Sequence, residues 1–416
     1  MTANNNRRRV VITGVGAVSP VGLDVQTTWE AMLAARSGAE KVTDDEQLPT
    51  RIACPIRDFD PTRYMSRKEA RRVGRVTQLA LAATEEAIAH ARLDLSKEDP
   101  TRVGIDIGTA FGALDVLEEQ AWRIRGKGPK AVNPVIAPAV LATTTPCHLG
   151  IHYGLKGPAN SPVVACATGV YSLGEAARRI QRGEVDVELA GGTDSYITEL
   201  ILYAFSKLGA MTTRNDDPKH ACRPFDKERD GMIMGEGAVT MVMESLEHAL
   251  ARGATILAEF GGMGFSSDGY NMAAPDPDGT GAARAMKLAL TDAGLEPQAI
   301  DYVAAHGTAT RLNDLSETRA VKHTLGEHAY NVAVSSVKPL IGHAMGAAGA
   351  FGALTVVMAI QTGWIPPTAN YSVPDPDCDL DYVPNEARQM EVNAGIANAF
   401  GFGGQNCSVV IKRYQE

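Results

Sequence analysis

The chain is poor in aromatics, in cysteine and in net positive charge, and each shortage narrows what it can be. Phe, Trp and Tyr together make up 6% of its 416 residues, and charged residues 21% against 44% hydrophobic. That balance supplies aliphatic material for one large core or two fused ones and is wrong for a disordered chain. A net charge of −9 argues against a nucleic-acid-binding protein. The six cysteines, Cys54, Cys147, Cys166, Cys222, Cys378 and Cys407, are scattered with no Cys-x-x-Cys pair. Neither a disulfide framework nor a metal cluster is therefore expected. No apolar run reads as reaching the roughly 18 residues that span a bilayer. No apolar core with a cleavage site precedes strand-like Val10-Val11-Ile12-Thr13, so the protein is expected in the cytoplasm and off the membrane.

Glycine, by contrast, is plentiful at 41 residues and sits beside short β-branched runs, the punctuation of an α/β protein with tight strand–helix turns. Strands are predicted over 8–13, 102–108, 185–190, 237–243, 254–262, 300–305, 331–336 and 406–412, and helices over 26–36, 67–91, 166–182, 281–293, 315–325 and 346–362. Such alternation predicts right-handed βαβ units around buried, mostly parallel sheets. The chain also echoes itself. Val10–Pro20 is like Ile256–Asp268, Asp186–Thr193 like Asp301–Thr308, and Val163–Gly169 like Val332–Gly342. Two βαβαβ halves are expected, 1–252 and 253–416.

Cys166, in Pro162-Val163-Val164-Ala165-Cys166-Ala167-Thr168-Gly169, falls where an apolar strand is expected to stop and an amphipathic helix to begin. Unpaired N–H groups and the helix dipole at that position favour thiolate over thiol, although a cysteine there can also be simple packing. Two further strand ends carry chemistry. Tyr302-Val-Ala-Ala-His306-Gly-Thr308-Ala-Thr310 ends in a histidine and two hydroxyls, and Ser335-Ser-Val-Lys338-Pro-Leu-Ile-Gly342-His343 places a lysine five residues before a histidine. Asn398-Ala-Phe400-Gly401-Phe402-Gly403-Gly404-Gln-Asn406 reads as a turn whose backbone N–H groups can approach a ligand. The other histidines, His90, His148, His152, His220, His248, His323 and His328, read as helix-surface or loop residues without chemistry.

ACATG, HGTAT with Asn313-Asp314 behind it, SSVKPLIGH followed by AMGAAG, RPFDKERDGMIMGEGA and NAFGFGGQN, in that set and spacing, resemble the β-ketoacyl-acyl-carrier-protein synthases. The elongating type II condensing enzymes are the most similar branch, and the likeness runs from about Val10 to Lys412. It implies a thiolase-like fold, with duplicated βαβαβ halves in a five-layer αβαβα sandwich, assembled as a homodimer with no cofactor of its own. It implies that Cys166 carries the acyl chain as a thioester, that His306 and His343 stabilise the enolate of decarboxylated malonyl-carrier protein, and that Lys338 supports the electrostatics. The N–H groups of Cys166 and Phe402, flanked by Gly401 and Gly403, correspond to an oxyanion hole, with Phe402 also the gate. Thr308, Thr310 and Phe400 match substrate-binding positions, Glu317 a structural acid, and Lys68, Arg71, Arg72 and Lys130 the carrier-protein contacts. Arg67, Lys68, Arg71, Arg72 and Arg75 are expected along one helix. Phe111 matches a turn at the far end of the acyl pocket, where its ring would favour shorter chains.

Several positions depart from the family's usual pattern: Val337 before the lysine, Pro339-Leu340-Ile341 after it, Ala304, Ala309 and Ala399. None removes a catalytic group. The departures keep open a ketosynthase of a type II polyketide or polyene pathway, and a non-catalytic chain-length partner is a further alternative against which Cys166 counts. A thiolase would carry a second cysteine in its C-terminal half, and an initiating synthase would pair His with Asn.

Overall fold

The computed structural model describes residues 7–416; Met1–Asn6, part of the N-terminal stretch read above, lie outside the described residues. Ten strands build the main sheet: β1 (Val10–Val18), β2 (Val103–Gly108), β3 (Ala159–Asn160), β4 (Val187–Asp194), β5 (Gly237–Ser245), β6 (Ala258–Ser267), β7 (Tyr302–Ala304), β8 (Ala333–Ser335), β9 (Ala394–Gly401) and β10 (Gln405–Lys412). The principal helices are α1 (Arg75–Ala91), α2 (Leu114–Lys127), α3 (Thr168–Gln181), α4 (Glu199–Lys207), α5 (Thr280–Ala293), α6 (Arg311–Leu325) and α7 (Ala348–Thr362).

The strand order β3-β2-β4-β5-β1-β6-β10-β9-β7-β8 is symmetric about its middle. On each side the outer two pairings are parallel and the inner two antiparallel. Within the sheet the halves are joined where Val10, Val11 and Ile12 of β1 face Phe260, Glu259 and Ala258 of β6. A mixed sheet therefore replaces the mostly parallel one expected, because hairpins such as β9–β10 close without a crossover helix.

Taking strands in chain order, β1 to β5 correspond one by one to β6 to β10. The first sequence echo thus matches equivalent strands, β1 and β6. The second does not: Asp186–Thr193 is β4, whose counterpart is β9, while Asp301–Thr308 contains β7. Short Gly-rich strand ends are alike enough to mislead. The third does not match either: Val163–Gly169 begins beyond β3, whereas Val332–Gly342 contains β8, which is followed by a longer connection than β3.

Helices α3 and α7 each pack on strands of both halves, while α1 covers β1 and β5 and α5 covers β6 and β10. This gives the five layers of the thiolase-like sandwich, with α3 and α7 in the middle. Met345–Thr362 is long and apolar enough, by composition, to cross a membrane, which corrects the reading of no such run. Its apolarity on every face is that of a helix enclosed between the two halves of the sheet.

The helix predicted over 67–91 is two: Arg67–Ala70, capped by a Ser66–Glu69 capping box, and α1, separated by Arg71–Gly74. A Cβ on Gly74 would stand 2.4 Å from that of Ala113, so the break lets this turn pass against the start of α2. Strand β9 and helices α2 and α4 are not among the predicted elements.

Candidate active site

The chain between β3 and α3 contains no strand: Ser161–Val164 is irregular and Val163 is exposed. The expected strand running up to Cys166 stops at Asn160. A single tight turn, Ala165–Ala167, then delivers the thiol. Ala165 has φ 50°, a left-handed conformation that costs a non-glycine residue of order 1–3 kcal/mol. The hydroxyl of Thr168 braces it, donating to Ala165 O at 2.7 Å and accepting the Val164 N–H at 3.0 Å.

Cys166 is buried at 5% exposure, and burial pushes its thiol up to about 11, although the Lys338 charge and the N–H groups of Phe402 and of Cys166 itself pull the other way. The expected preference for thiolate is therefore overturned. Loss of water outweighs the helix terminus in an apolar surround. The thiol donates to the thioether of Met345, Sγ to Sδ 3.4 Å.

His306 stands two residues beyond β7, and His343 lies in the connection between β8 and α7. Their ring centroids are 5.3 Å apart and nearly perpendicular, at 81°. Cys166 Sγ and one ring nitrogen of each histidine lie within 4.8 Å of one another. Burial and the charge of Lys338 hold both imidazoles well below their ordinary value, so both are neutral. The Met345 N–H donates to His343 Nδ1 at 3.1 Å, which leaves the His343 proton on Nε2. His306 Nδ1 is buried without a partner, so no hydrogen bond fixes that tautomer.

Glu317 on α6 accepts the N–H of His306 at 2.8 Å, that of Gly307 at 2.7 Å and the Asn398 amide at 3.3 Å. Burial pushes its carboxyl up to about 7. The Lys338 ammonium donates to His306 O, and burial lowers its own proton affinity against the pull of Glu317. The two therefore grip the His306 backbone from opposite sides.

A cleft of about 540 Å³ opens onto the three groups. Thr308, Thr310, Phe400, Gly401 and Phe402 all line it. The Thr308 and Thr310 hydroxyls bond each other at 2.9 Å, and the Phe400 ring lies 5.9 Å from that of His306. Residues 398–406, read as one turn, form the hairpin tip between β9 and β10, with Phe402–Gly404 alone at the bend and Gly403 at φ 77°. Phe111 does not line this cleft. It belongs to the apolar cluster behind Cys166, stacked 5.2 Å from Tyr196 and edge-on to Phe205 at 6.3 Å.

Sequence reading passed over Met345, Asp194 and Met232. Methionine carries no motif signal, and Asp194 looks like an ordinary strand-end acid. His248 is also more than a surface residue: it bridges Glu244 and Glu98 at 2.6 and 2.9 Å. Lys68, Arg71, Arg72 and Lys130 are exposed, and Arg71 and Arg72 border a hollow against Gln120 and Asn133. Arg75 leaves that group, because its guanidinium chelates Glu236 at 2.9 Å and caps Ile56 O.

One thiol and two imidazoles are also a soft-metal donor set. The buried Lys338 ammonium, whose charge already depresses both imidazoles, opposes a second cation there, so the arrangement fits a metal poorly.

The family description "Beta-ketoacyl synthase, N-terminal domain" matches residues 7–249, and "Beta-ketoacyl synthase, C-terminal domain" matches 257–372. A 3-oxoacyl-[acyl-carrier-protein] synthase 2 of Synechocystis is 44% identical over 99% of this chain and 100% of its own. One from Coxiella burnetii is 43% identical over 98% and 99%. Among solved structures, the ishigamide ketosynthase/chain length factor is 38% identical with a TM-score of 0.92, covering 98% of this chain and all of that one. A type II polyketide synthase ketosynthase, in complex with its acyl-carrier protein and bound to a hexaketide, is 32% identical at 0.92 with the same coverage. A β-ketoacyl synthase from Burkholderia phymatum is 36% identical at 0.91, again over 98% and 100%. With matched domains over most of its length and relatives this close over nearly all of it, the chain belongs to the β-ketoacyl synthase family.

Proposed function

We propose that the protein is a 3-oxoacyl-acyl-carrier-protein synthase, elongating a carrier-bound acyl chain by two carbons in fatty-acid synthesis. The observation that carries this reading is the convergence of Cys166, His306 and His343 at the floor of one cleft. Half 1–252 supplies the nucleophile, and half 253–416 supplies the groups that govern charge.

In the first stage Cys166 Sγ attacks the acyl thioester of the primer. Because the thiol is held protonated, its proton must leave. His306 is the neighbour able to take it, since the His343 Nδ1 lone pair is already engaged by Met345. The N–H groups of Cys166 and Phe402 bind the oxyanion, and the primer's pantetheine thiol departs protonated. In the second stage malonyl-carrier protein occupies the cleft along Thr308 and Thr310. Its C–CO₂ bond breaks, CO₂ leaves, and the electron pair becomes an enolate whose oxygen His343 Nε2–H and His306 stabilise. The enolate carbon then attacks the Cys166 thioester carbonyl, forming the C–C bond and expelling the sulfur. Burial, reinforced by the charge of Lys338, keeps both imidazoles neutral, and Glu317 holds His306 in place.

An acyl-carrier protein is the proposed partner, docking its acidic surface on Lys68, Arg71, Arg72 and Lys130. The carrier-protein complex solved for a related ketosynthase supports this. A homodimer is proposed, with exposed Leu117, Trp122 and Ile124 of α2 as candidates for its interface. The protein is read as cytoplasmic and as needing no bound cofactor beyond the carrier's pantetheine.

The test is intact-mass measurement after incubation with acyl-carrier-protein thioesters of graded length. A mass gain equal to the acyl group, absent in Cys166→Ala, is expected, followed by 3-oxoacyl product when malonyl-carrier protein is added. The relatedness to solved polyketide ketosynthases favours a second reading, in which polyketide or polyene intermediates are the substrates. Preferential loading of unsaturated or β-oxo chains over saturated ones would select it.

A further inference from the structure

The carboxylate of Asp194, the last residue of β4, is fully buried and accepts four hydrogen bonds from two separate turns. Oδ1 takes the Thr109 hydroxyl at 2.6 Å and the Phe111 N–H at 3.3 Å. Oδ2 takes the Ala110 N–H at 2.9 Å and the Gly346 N–H at 2.6 Å. The turns are pressed together around it: a Cβ on Gly346 would meet Asp194 Oδ2 at 2.6 Å and Ala110 N at 2.8 Å.

The Gly346 turn also carries Met345, held at φ 39°. Met345 touches two reacting groups, its N–H on His343 Nδ1 and its sulfur 3.4 Å from the Cys166 thiol. Gly346 occupies in the second half the place that Cys166 occupies in the first, as the middle residue of the turn opening the central helix. The N–H of Cys166 faces the reaction, whereas the equivalent N–H of Gly346 is filled by the protein's own carboxylate.

We propose that Asp194 is a positioning residue that locks the Phe111 turn to the Met345–Gly346 turn, and through Met345 sets the proton of His343 and the orientation of the Cys166 thiol. This rests on the ketosynthase reading of the site but is tested without it. Burying a carboxylate is costly unless its oxygens are fully bonded, and here both are. Such a group has discrete geometry: if one turn shifts, all four bonds change.

Asp194→Asn is nearly isosteric, yet in either orientation its amide must face at least one backbone N–H. The expected result is a folded protein with Michaelis constants near wild type. Its condensation kcat should fall ~10²-fold, the scale of a 1 Å misplacement of reacting groups. Imidazole ¹⁵N spectra should change His343 from a single Nε2–H form to mixed tautomers, and iodoacetamide alkylation of Cys166 should change rate. Gly346→Ala, which wedges the turns apart with the carboxylate intact, should reproduce these changes. Thr109→Val, which removes one donor, should do so in weaker form. If Asp194→Asn does not fold, Gly346→Ala and Thr109→Val decide the matter. Lowered thermal stability with wild-type His343 spectra and wild-type alkylation in the folded variants would overturn the proposal. A wild-type protein that fails to condense would count against the ketosynthase reading alone, since spectra and alkylation need no turnover.

Discussion

The two halves of the molecule share a frame and divide the chemistry unequally. Each has five strands in the same order of pairing, and each opens its central helix with a tight turn led by a left-handed residue, Ala165 at φ 50° and Met345 at φ 39°. In the first half that turn presents Cys166. In the second it presents Gly346, with no side chain to react. The second half instead places its groups on the connections. His306 follows β7 where Thr109–Phe111 follow β2, and Ser336–Ala344, longer than its counterpart Ser161–Val164 after β3, carries Lys338 and His343. Duplication explains the scaffold, then, and departures from duplication explain the site. A reaction that needs a nucleophile and separate charge-stabilising donors is served by making equivalent positions different.

The most severe way to break this division is to remove one side of it. Cys166→Ala should abolish acyl-enzyme formation in intact-mass measurements, because nothing in the second half can replace the thiol. His343→Ala should keep acylation yet lower condensation by at least ~10²-fold, the cost of one preorganised donor. If that variant condenses normally, the charge-stabilising role does not belong to the second half.

The next comparison sets burial against the helix terminus at Cys166. With the thiol pushed up to about 11, the thiolate is a small fraction at neutral pH and grows as pH rises. Iodoacetamide alkylation should therefore climb roughly tenfold per pH unit from 7 to 10. A plateau below pH 8 would mean that the terminus and Lys338 win.

Phe111 sharpens the contrast between the equivalent turns, one reacting and one packing. Its ring fills space behind Cys166 against Tyr196 and Phe205, and extra bulk in a filled pocket typically costs ~1–3 kcal/mol. Phe111→Ile should shift the acylation preference across six- to sixteen-carbon thioesters toward longer chains, by roughly ten- to a hundredfold. An unchanged profile would show that another residue sets the limit.

The smallest expected effect is at the surface. Charge reversal at Arg71 and Arg72 should raise KM for carrier-bound substrates severalfold, an effect that shrinks as salt screens it. Small pantetheine thioesters should be unaffected; equal loss with them would remove the docking role.

Much of this was legible in the amino-acid order. Strand-end positions for His306 and Lys338 and a helix starting beside Cys166 follow from local pattern, because turn glycines and hydrophobic period are properties of a few neighbouring residues; of the internal echoes only the first, β1 with β6, pairs equivalent strands. The same locality explains the errors. Arg67 to Arg75 looked like one basic helix face, but the break at Gly74 is imposed by Ala113, and Arg75 is taken by Glu236, 161 positions away. The hairpin around Phe402 looked like a loop because its β9 arm is full of alanine and glycine, and only pairing with β10 makes it a strand.

The sequence by itself determined which chemical groups exist and roughly which turns carry them, since a residue's identity and its local backbone preference need no partner. Tertiary structure alone decided their states. Cys166 is a thiol because distant apolar elements exclude water from it. The imidazoles are neutral because burial strips them of water and Lys338 adds its charge beside them, and His343 carries its proton on Nε2 because the Met345 N–H occupies the other nitrogen. Those are energies of desolvation and contact between segments far apart in the chain, and they exist only once the two halves have closed on each other.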